Sequence, residues 1–399
     1  MPLPRGSEFL KYTSMPVHVA HLVWSFDIGG MENGIVNLIN KSNPQTTRYS
    51  VIALTNLGLS KSRVQATNVS FFELGKGAGN DWGIIGHLAR IFRRIKPDIV
   101  HTHGWPTYVE GLLGAFLGKV PVLIHGEHGT TFFEKRRRVL AYRILKKWTT
   151  HYTVVSSSLR RPLEDVIGIP SKKIISIPNG VDLERFNYKP LVRKKVRHKL
   201  GIDKDEFVVG SVGRLVPVKG FEVFVESIKE LAACGERVRG LLVGQGTLYD
   251  KLRRLSVNGN GMASTMFLGN RDDVDDILQA FDVYVSTSYS EGMSNTILEA
   301  MASRIPIIAT AVGGTVELVR ANSSGILIAP GDSKKLSRSL MYRANNPEER
   351  VWLGSGARTR CEMDFSLDSM INRYESLYQS CIDHSSENEN LFIKQKPSP

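Results

Sequence analysis

The sequence predicts an α/β protein of two doubly wound domains in tandem, facing each other across a cleft. Three observations carry that expectation. The 399 residues exceed what one hydrophobic core usually serves, and 42% hydrophobic with 23% charged residues is an ordinary globular mixture. Short apolar runs alternate with helical patterns along most of the chain, as in parallel sheets wrapped on both faces. The alternation pauses once, at a turn-rich segment over residues 177–186 and a charged stretch over 189–199, then resumes.

In the first domain, residues 17–24 read as a strand, 25–32 as a glycine-containing loop and 33–40 as a helix. Strands follow at 49–54, 98–101 and 120–125, with helices over 82–96 and 109–117 between them. In the second, strands fall at 207–212, 239–243, 265–268, 283–287, 306–310 and 325–329. Helices fall at 220–233, 248–255 and 295–302, and Val274, Ile277, Leu278 and Phe281 share one helical face. A closing helix is expected over 365–382. The domains are expected at 15–188 and 189–364. The polar tail 383–399 is expected to lack structure. The opening MPLPRGSEF resembles a protease-site and cloning remnant, so residues 1–14 are set outside the fold, with Met15 as the natural start.

Composition narrows the class. Cys234, Cys361 and Cys381 show no CxxC or zinc spacing, which argues against a disulfide framework and for a reducing compartment. No apolar run approaches the roughly 20 residues that span a bilayer, and no secretory signal is visible. A cytoplasmic protein is the expectation. Charge is lopsided: residues 1–190 hold 25 Lys and Arg against 13 Asp and Glu, and the remainder 27 against 26. The excess gathers at residues 93–96, 135–138, 143–147, 160–161 and 172–173. Such a surface suits a phosphate-rich partner, with an anionic membrane and a merely solvated face about equally weighted on charge alone.

The chemistry centres on two glutamates. Residues 283–287 read as a buried strand and 295–302 as a helix, with Gly292 in the turn between. A strand, a turn and a helix N-terminus make an anion site of free backbone N–H groups and a positive dipole end. Glu291 precedes that site, and Glu299 projects from a little over a turn into the helix. The two carboxylates can therefore flank a bound diphosphate, the layout of a nucleotide sugar. The segment 213–220 also follows a strand and opens a helix. There Arg214 offers a bidentate fork and Lys219 a compact charge, both suited to phosphate. Gly244 and Gly246 do not complete a GxGxxG fingerprint, since Tyr249 stands at its last position, and mark a tight turn. The aspartates of 272–276 read as first-turn helix residues rather than metal ligands. In the first domain, Gly29 and Gly30 permit close backbone approach. His101, His103, His125 and His128 sit at the carboxyl ends of strands, with His128 the best site candidate, His103 next and His125 a candidate for the core.

Gly29-Gly30, His128, Arg214, Lys219 and the Glu291/Glu299 pair together resemble the GT-B retaining glycosyltransferases of family 4, over about residues 17–378. Residues 26–34, 125–129 and 295–302 look more narrowly like bacterial sugar transferases of exopolysaccharide or capsule assembly. The resemblance implies two Rossmann-like domains, with the C-terminal helix 365–382 crossing back to the first. It implies that Gly30, Arg214, Lys219, Ser294 and Asn295 meet the donor diphosphate. Glu299 would take the ribose hydroxyls, while Glu291, Gly292 and Met293 would meet the donor sugar. His128 would act with Glu291 at the reacting centre, and His103 would stand on the acceptor side. It implies a nucleotide-sugar donor, UDP-linked by preference, as co-substrate. It further implies a saccharide or polyprenyl-diphosphate-linked saccharide acceptor, no cofactor and no metal. With the basic first domain, it suggests a peripheral place on the inner face of the cytoplasmic membrane. Two other classes compete. A nucleotide-sugar epimerase of the same fold would need no acceptor. A nucleic-acid-binding protein would suit the net charge of +13, but the basic residues are not interleaved with aromatics and no recognition motif is present.

Overall fold

The computed structural model describes residues 15–77, 81–129, 135–257 and 264–394. It contains two sheets. The first has seven strands: β1 (Val17–Val23), β2 (Thr47–Ala53), β3 (Ser70–Glu73), β4 (Ile99–His103), β5 (Val122–Glu127), β6 (His151–Val154) and β7 (Ile174–Ser176). Their spatial order is β3-β2-β1-β4-β5-β6-β7. The second has six: β8 (Phe207–Val212), β9 (Val238–Val243), β10 (Thr265–Gly269), β11 (Val283–Ser286), β12 (Ile307–Thr310) and β13 (Gly325–Ile328). Their order is β10-β9-β8-β11-β12-β13. Every pairing is parallel, which gives the predicted fold class of two doubly wound α/β units.

The core follows from the strand sequences. Parallel strands covered on both faces are buried throughout, as β1, β4 and β5 are. One face of the first sheet packs under the helix Gly30–Lys41 through Ile35, Val36 and Ile39. One face of the second packs under the helix Phe221–Ala233 through Phe224, Val225 and Ile228. A further cluster runs from Leu22 and Phe92 through Leu163 to Leu241, Phe281 and Met301, so apolar packing is continuous between the two sheets.

Several elements differ from expectation. Strands β3, β6 and β7 were not legible. β3 and β7 are short edge strands, and β6 reads His-Tyr-Thr-Val, too polar to stand out. The charged stretch after residue 188 is the helix Pro190–Lys199, with proline at its first turn where a missing N–H costs nothing. Its cations bind inward: Arg193 and Arg197 reach Asp282 at 2.5 and 3.2 Å, and Arg197 is buried. The closing helix is also corrected. Phe365 ends the preceding helix Pro347–Asp364, and the Ser366 Oγ accepts from Ser369 N at 3.2 Å to start a new one. That helix runs Leu367–Lys394, through residues expected to lack structure. No glycine or proline interrupts it, so a helix nucleated on packed residues propagates. Its Met370, Ile371, Leu377 and Tyr378 pack on the first sheet's core. The expected remnant at 1–14 lies outside the described residues.

Strand order reverses direction once in each sheet, between β1 and β4 and between β8 and β11. Ligands of such sheets bind beyond the carboxyl ends at those switch points. The loops after β1, β4, β8 and β11 hold Gly29-Gly30, the residues after His103, Arg214-Lys219 and Glu291 respectively.

Candidate functional site

The wall from the second sheet is built around the helix Asn295–Ala302. Its N-cap Ser294 accepts from Ile297 N through the side-chain oxygen at 3.4 Å. The buried Ser294 hydroxyl also meets Thr296 Oγ1 at 3.1 Å, so Ser294 offers an anion its backbone N–H rather than its hydroxyl. Glu291 is held firmly. Lys219 Nζ and Ser288 Oγ both donate to its Oε1 at 2.6 Å. Arg214 is exposed beside this pair's loop, and Glu32 from the first helix feels its guanidinium across the cleft. Burial raises the Glu32 carboxyl, and Arg214 partly offsets the rise.

The Glu291 loop is fixed from below by Gly313 and Gly314. Gly314 N donates to Gly292 O at 3.1 Å. A Cβ at Gly313, whose φ is +48°, would lie 1.7 Å from Glu291 O. Only glycine fits there, and nothing in the spacing of the motifs had singled it out.

Glu299 is half-buried one turn along the same helix. Burial pushes it up to about 7 and Asp275 adds to the rise, while Arg185 and Arg63 pull it down. Arg185 and Lys189 hold Asp275 at 3.1 and 3.2 Å. Sequence reasoning missed Arg63 and Arg185. Both belong to the first stretch of the chain, and only folding sets them around a carboxylate of the second.

The facing wall comes from the first sheet. Gly30 opens the helix Gly30–Lys41, and Asn295 Nδ2 donates to Gly30 O at 3.0 Å. The Asn295 side chain thus bridges the two units. Asn179 does the same lower down, donating through Nδ2 to Met293 O at 3.2 Å. Met293 is buried, and its sulfur accepts from Asn179 N at 3.3 Å, so its side chain belongs to this contact between the two units. A Cβ at Gly292 would fall 2.2 Å from His128 O, so glycine lets the two walls touch. His128 lies just past β5, with its Nε2 3.0 Å from His103 Nδ1. Burial pushes His128 down to about 4 and His103 well below the usual range, so both are neutral at pH 7. His125 faces the other side of the sheet, bonded to Thr102 Oγ1 and Glu127 Oε1 at 2.7 and 2.9 Å, a core role. His21, not foreseen from sequence, joins His101 and His103 in the described residues' only grouping with metal-like proximity.

The structure therefore brings Gly30, His128, Arg214, Lys219, Glu291, Gly292, Asn295 and Glu299 to one cleft, with His103 behind His128 rather than at the surface. The second wall supplies cations and a helix N-terminus for a diphosphate, and a carboxylate beyond for hydroxyls.

Comparison with known proteins points the same way. The family described as Glycosyltransferase Family 4 matches residues 28–185, and Glycosyl transferases group 1 matches residues 192–360. The UDP-Gal:alpha-D-GlcNAc-diphosphoundecaprenol alpha-1,3-galactosyltransferase of Escherichia coli is 30% identical over 302 residues, 73% of this chain and 77% of its own. The capsular polysaccharide biosynthesis glycosyltransferase CapM of Staphylococcus aureus is 25% identical over 307 residues, 74% of this chain and 80% of its own. The fold is similar to that of Anabaena HepE, solved in complex with UDP and glucose. There the TM-score is 0.79 at 20% identity, covering 91% of this chain and 100% of that one.

Proposed function

The chain belongs to the family 4 (group 1) glycosyltransferases, and from that premise we propose that it transfers a hexosyl group, with retention, from a UDP-sugar to a saccharide acceptor carried on a lipid diphosphate. The setting proposed is cell-surface polysaccharide assembly. One observation carries the reading. Arg214, Lys219 and the N-terminus of Asn295–Ala302 stand together at one switch point, with Glu299 beyond them and His128 opposite. The preference for uridine is supported by the E. coli relative named for UDP-Gal and by the HepE complex with UDP.

The chemistry follows from charge. The bond between the anomeric carbon and the β-phosphate oxygen breaks, leaving an oxocarbenium-like sugar and an anionic nucleotide. Fixed positive charge where negative charge grows lowers that barrier, so no metal is invoked. Retention by double displacement would need a carboxylate nucleophile. Glu291 is the nearest candidate, yet its Oε1 already takes two hydrogen bonds at 2.6 Å. That supports Glu291 as a group that positions the sugar. The acceptor oxygen then attacks on the face the phosphate leaves, and its proton passes to the departing phosphate oxygen.

The acceptor's carrier suggests where the enzyme works. The helix Arg136–Leu145 exposes Leu140 and Ile144 beside Arg136 and Arg137, with Trp148 exposed just beyond. Apolar side chains among cations suit an anionic bilayer surface. No helix among the described residues is long and apolar enough to cross a membrane, so contact would be peripheral.

A thermal-shift series with UDP-, GDP- and ADP-sugars, with Glu299→Ala as control, tests the donor site. A shift with one nucleotide, lost in the variant, is expected. Product anomer by proton NMR then decides retention, and activity in EDTA decides metal independence. A trapped glycosyl–Glu291 adduct would sink the same-face mechanism.

A further inference from the structure

The histidines behind the cleft form one hydrogen-bonded file. His21 lies on β1, His103 ends β4 and His128 follows β5, so three adjacent parallel strands bring them side by side. His21 Nδ1 stands 2.9 Å from His103 Nε2, and His103 Nδ1 stands 3.0 Å from His128 Nε2. His21 and His103 are buried, and no protein group among the described residues reaches His21 Nε2. A cavity of about 20 Å³ lies against these rings and Gly30.

A metal is the first candidate for such a cluster. Two imidazole nitrogens on one zinc, each at ~2.0–2.1 Å in a tetrahedral site, stand about 3.3 Å apart. The His21 and His103 nitrogens are closer, at hydrogen-bond distance. His101, the third member, has both nitrogens engaged, by Tyr378 OH at 2.9 Å and Thr153 Oγ1 at 3.2 Å. Its ring overlaps that of His103, with centroids 4.3 Å apart and planes 31° apart. Overlapping rings that share protons make a file, not a ligand set.

The proton positions follow by elimination. Burial pushes His21 down to about 3 and His128 to about 4, and holds His103 well below its usual range. Each ring is then neutral and carries one N–H, so each link joins one donor to one acceptor. Two arrangements satisfy both links. In one, every proton sits on Nδ1, and His21 Nε2 is left as a bare acceptor. In the other, every proton sits on Nε2, and His21 leaves a buried N–H without an acceptor. Orphaned buried N–H groups are the rarer and costlier case. The first arrangement is favoured, and in it His128 carries its proton on Nδ1, its one remaining polar atom.

We infer that His21 and His103 are positioning residues that act through His128, fixing it as an Nδ1–H donor and not a base. Resting on the donor-site reading above, this lets His128 donate to an oxygen of the sugar while the departing phosphate takes the acceptor's proton. A base at His128 would compete for that proton.

The first arm of the test needs no substrate. Wild-type protein labelled with ¹⁵N at histidine is observed in long-range ¹H–¹⁵N spectra at pH 7, with signals assigned by single His→Gln variants. Nδ1–H tautomers at His21, His103 and His128 are expected. An Nε2–H tautomer at His128 overturns the inference. So does stoichiometric Zn²⁺ binding by wild type that His21→Ala abolishes. The second arm follows hydrolysis of UDP-glucose and UDP-galactose to UDP. His21→Leu removes the first donor of the file, and His21→Asn restores an N–H close to where Nδ1 stood. The expected result is a roughly fivefold fall in kcat for His21→Leu at unchanged KM, the effect of one neutral hydrogen bond, largely recovered in His21→Asn. Wild-type kcat in His21→Leu, or equal impairment in both variants, overturns it. If wild type hydrolyses neither sugar nucleotide, the donor reading alone fails, and the tautomers still decide the file.

Discussion

Glu299→Gln removes one charge from the far end of the proposed donor site and separates two pH dependences. Burial raises this carboxyl to about 7, so near neutrality it is divided between its two forms. Ribose hydroxyls donate hydrogen bonds, and a carboxylate accepts them better than a carboxylic acid. If only the ionised form binds, the Kd for UDP rises about tenfold from pH 8 to pH 6, since each pKa unit corresponds to ~1.4 kcal/mol. The glutamine variant does not titrate. Its Kd is expected to be about tenfold weaker than wild type at pH 8, the difference between a charged and a neutral hydrogen bond, and nearly equal to wild type at pH 6. Calorimetry on both proteins at matched pH and salt measures this, and their ratio cancels the protonation of UDP itself. Stability carries the opposite sign. The folded value lies above the ordinary 4.5 of a glutamate, so the folded state holds the proton longer, and stability is lost as pH rises from about 4.5 through about 7. The variant should therefore gain in Tm over wild type as pH rises from 5 to 8. A wild-type to variant Kd ratio that stays flat from pH 6 to 8 would refute the ribose role.

Three further outcomes are expected. Lys219→Ala removes a cation 2.6 Å from Glu291 and should lower kcat by about 10²-fold, the scale of one fixed charge-stabilising donor; a loss below tenfold in donor hydrolysis counts against it. Gly313→Ala forces a Cβ against Glu291 O at positive φ, costing ~1–3 kcal/mol in urea unfolding and misplacing the Glu291 loop, so intact stability and activity together would contradict the geometry. Tyr378→Phe strips the hydroxyl from buried His101 Nδ1 at 2.9 Å and should destabilise by ~1–3 kcal/mol; an unchanged urea midpoint would show that the bond carries no net stability.

What the sequence determined by itself is the periodic and the local. The alternation of apolar strands with helical faces is enforced by burial on both sides of a parallel sheet, so ten of the strands and the helix Asn295–Ala302 could be read directly. The spacing of Glu291 and Glu299 around a helix N-terminus is likewise a local property, fixed once strand, turn and helix are known. Short edge strands such as β3 and β7 carry too few residues for any period to show. Tertiary structure alone decided the rest. Arg63, Arg185 and Glu299 are far apart in the chain, and only the fold both buries the carboxyl, which raises it, and sets the two cations around it, which restrain the rise. The sequence left open where the side chains of Ser294, Asn295 and Met293 go, and the fold turns them to a cap and to bridges with Gly30 and Asn179. His21 sits in a strand as one more buried residue until parallel pairing places it against His101 and its ring against His103. Sheet order converts separate strand ends into one site, because only a folded sheet decides which carboxyl ends are neighbours.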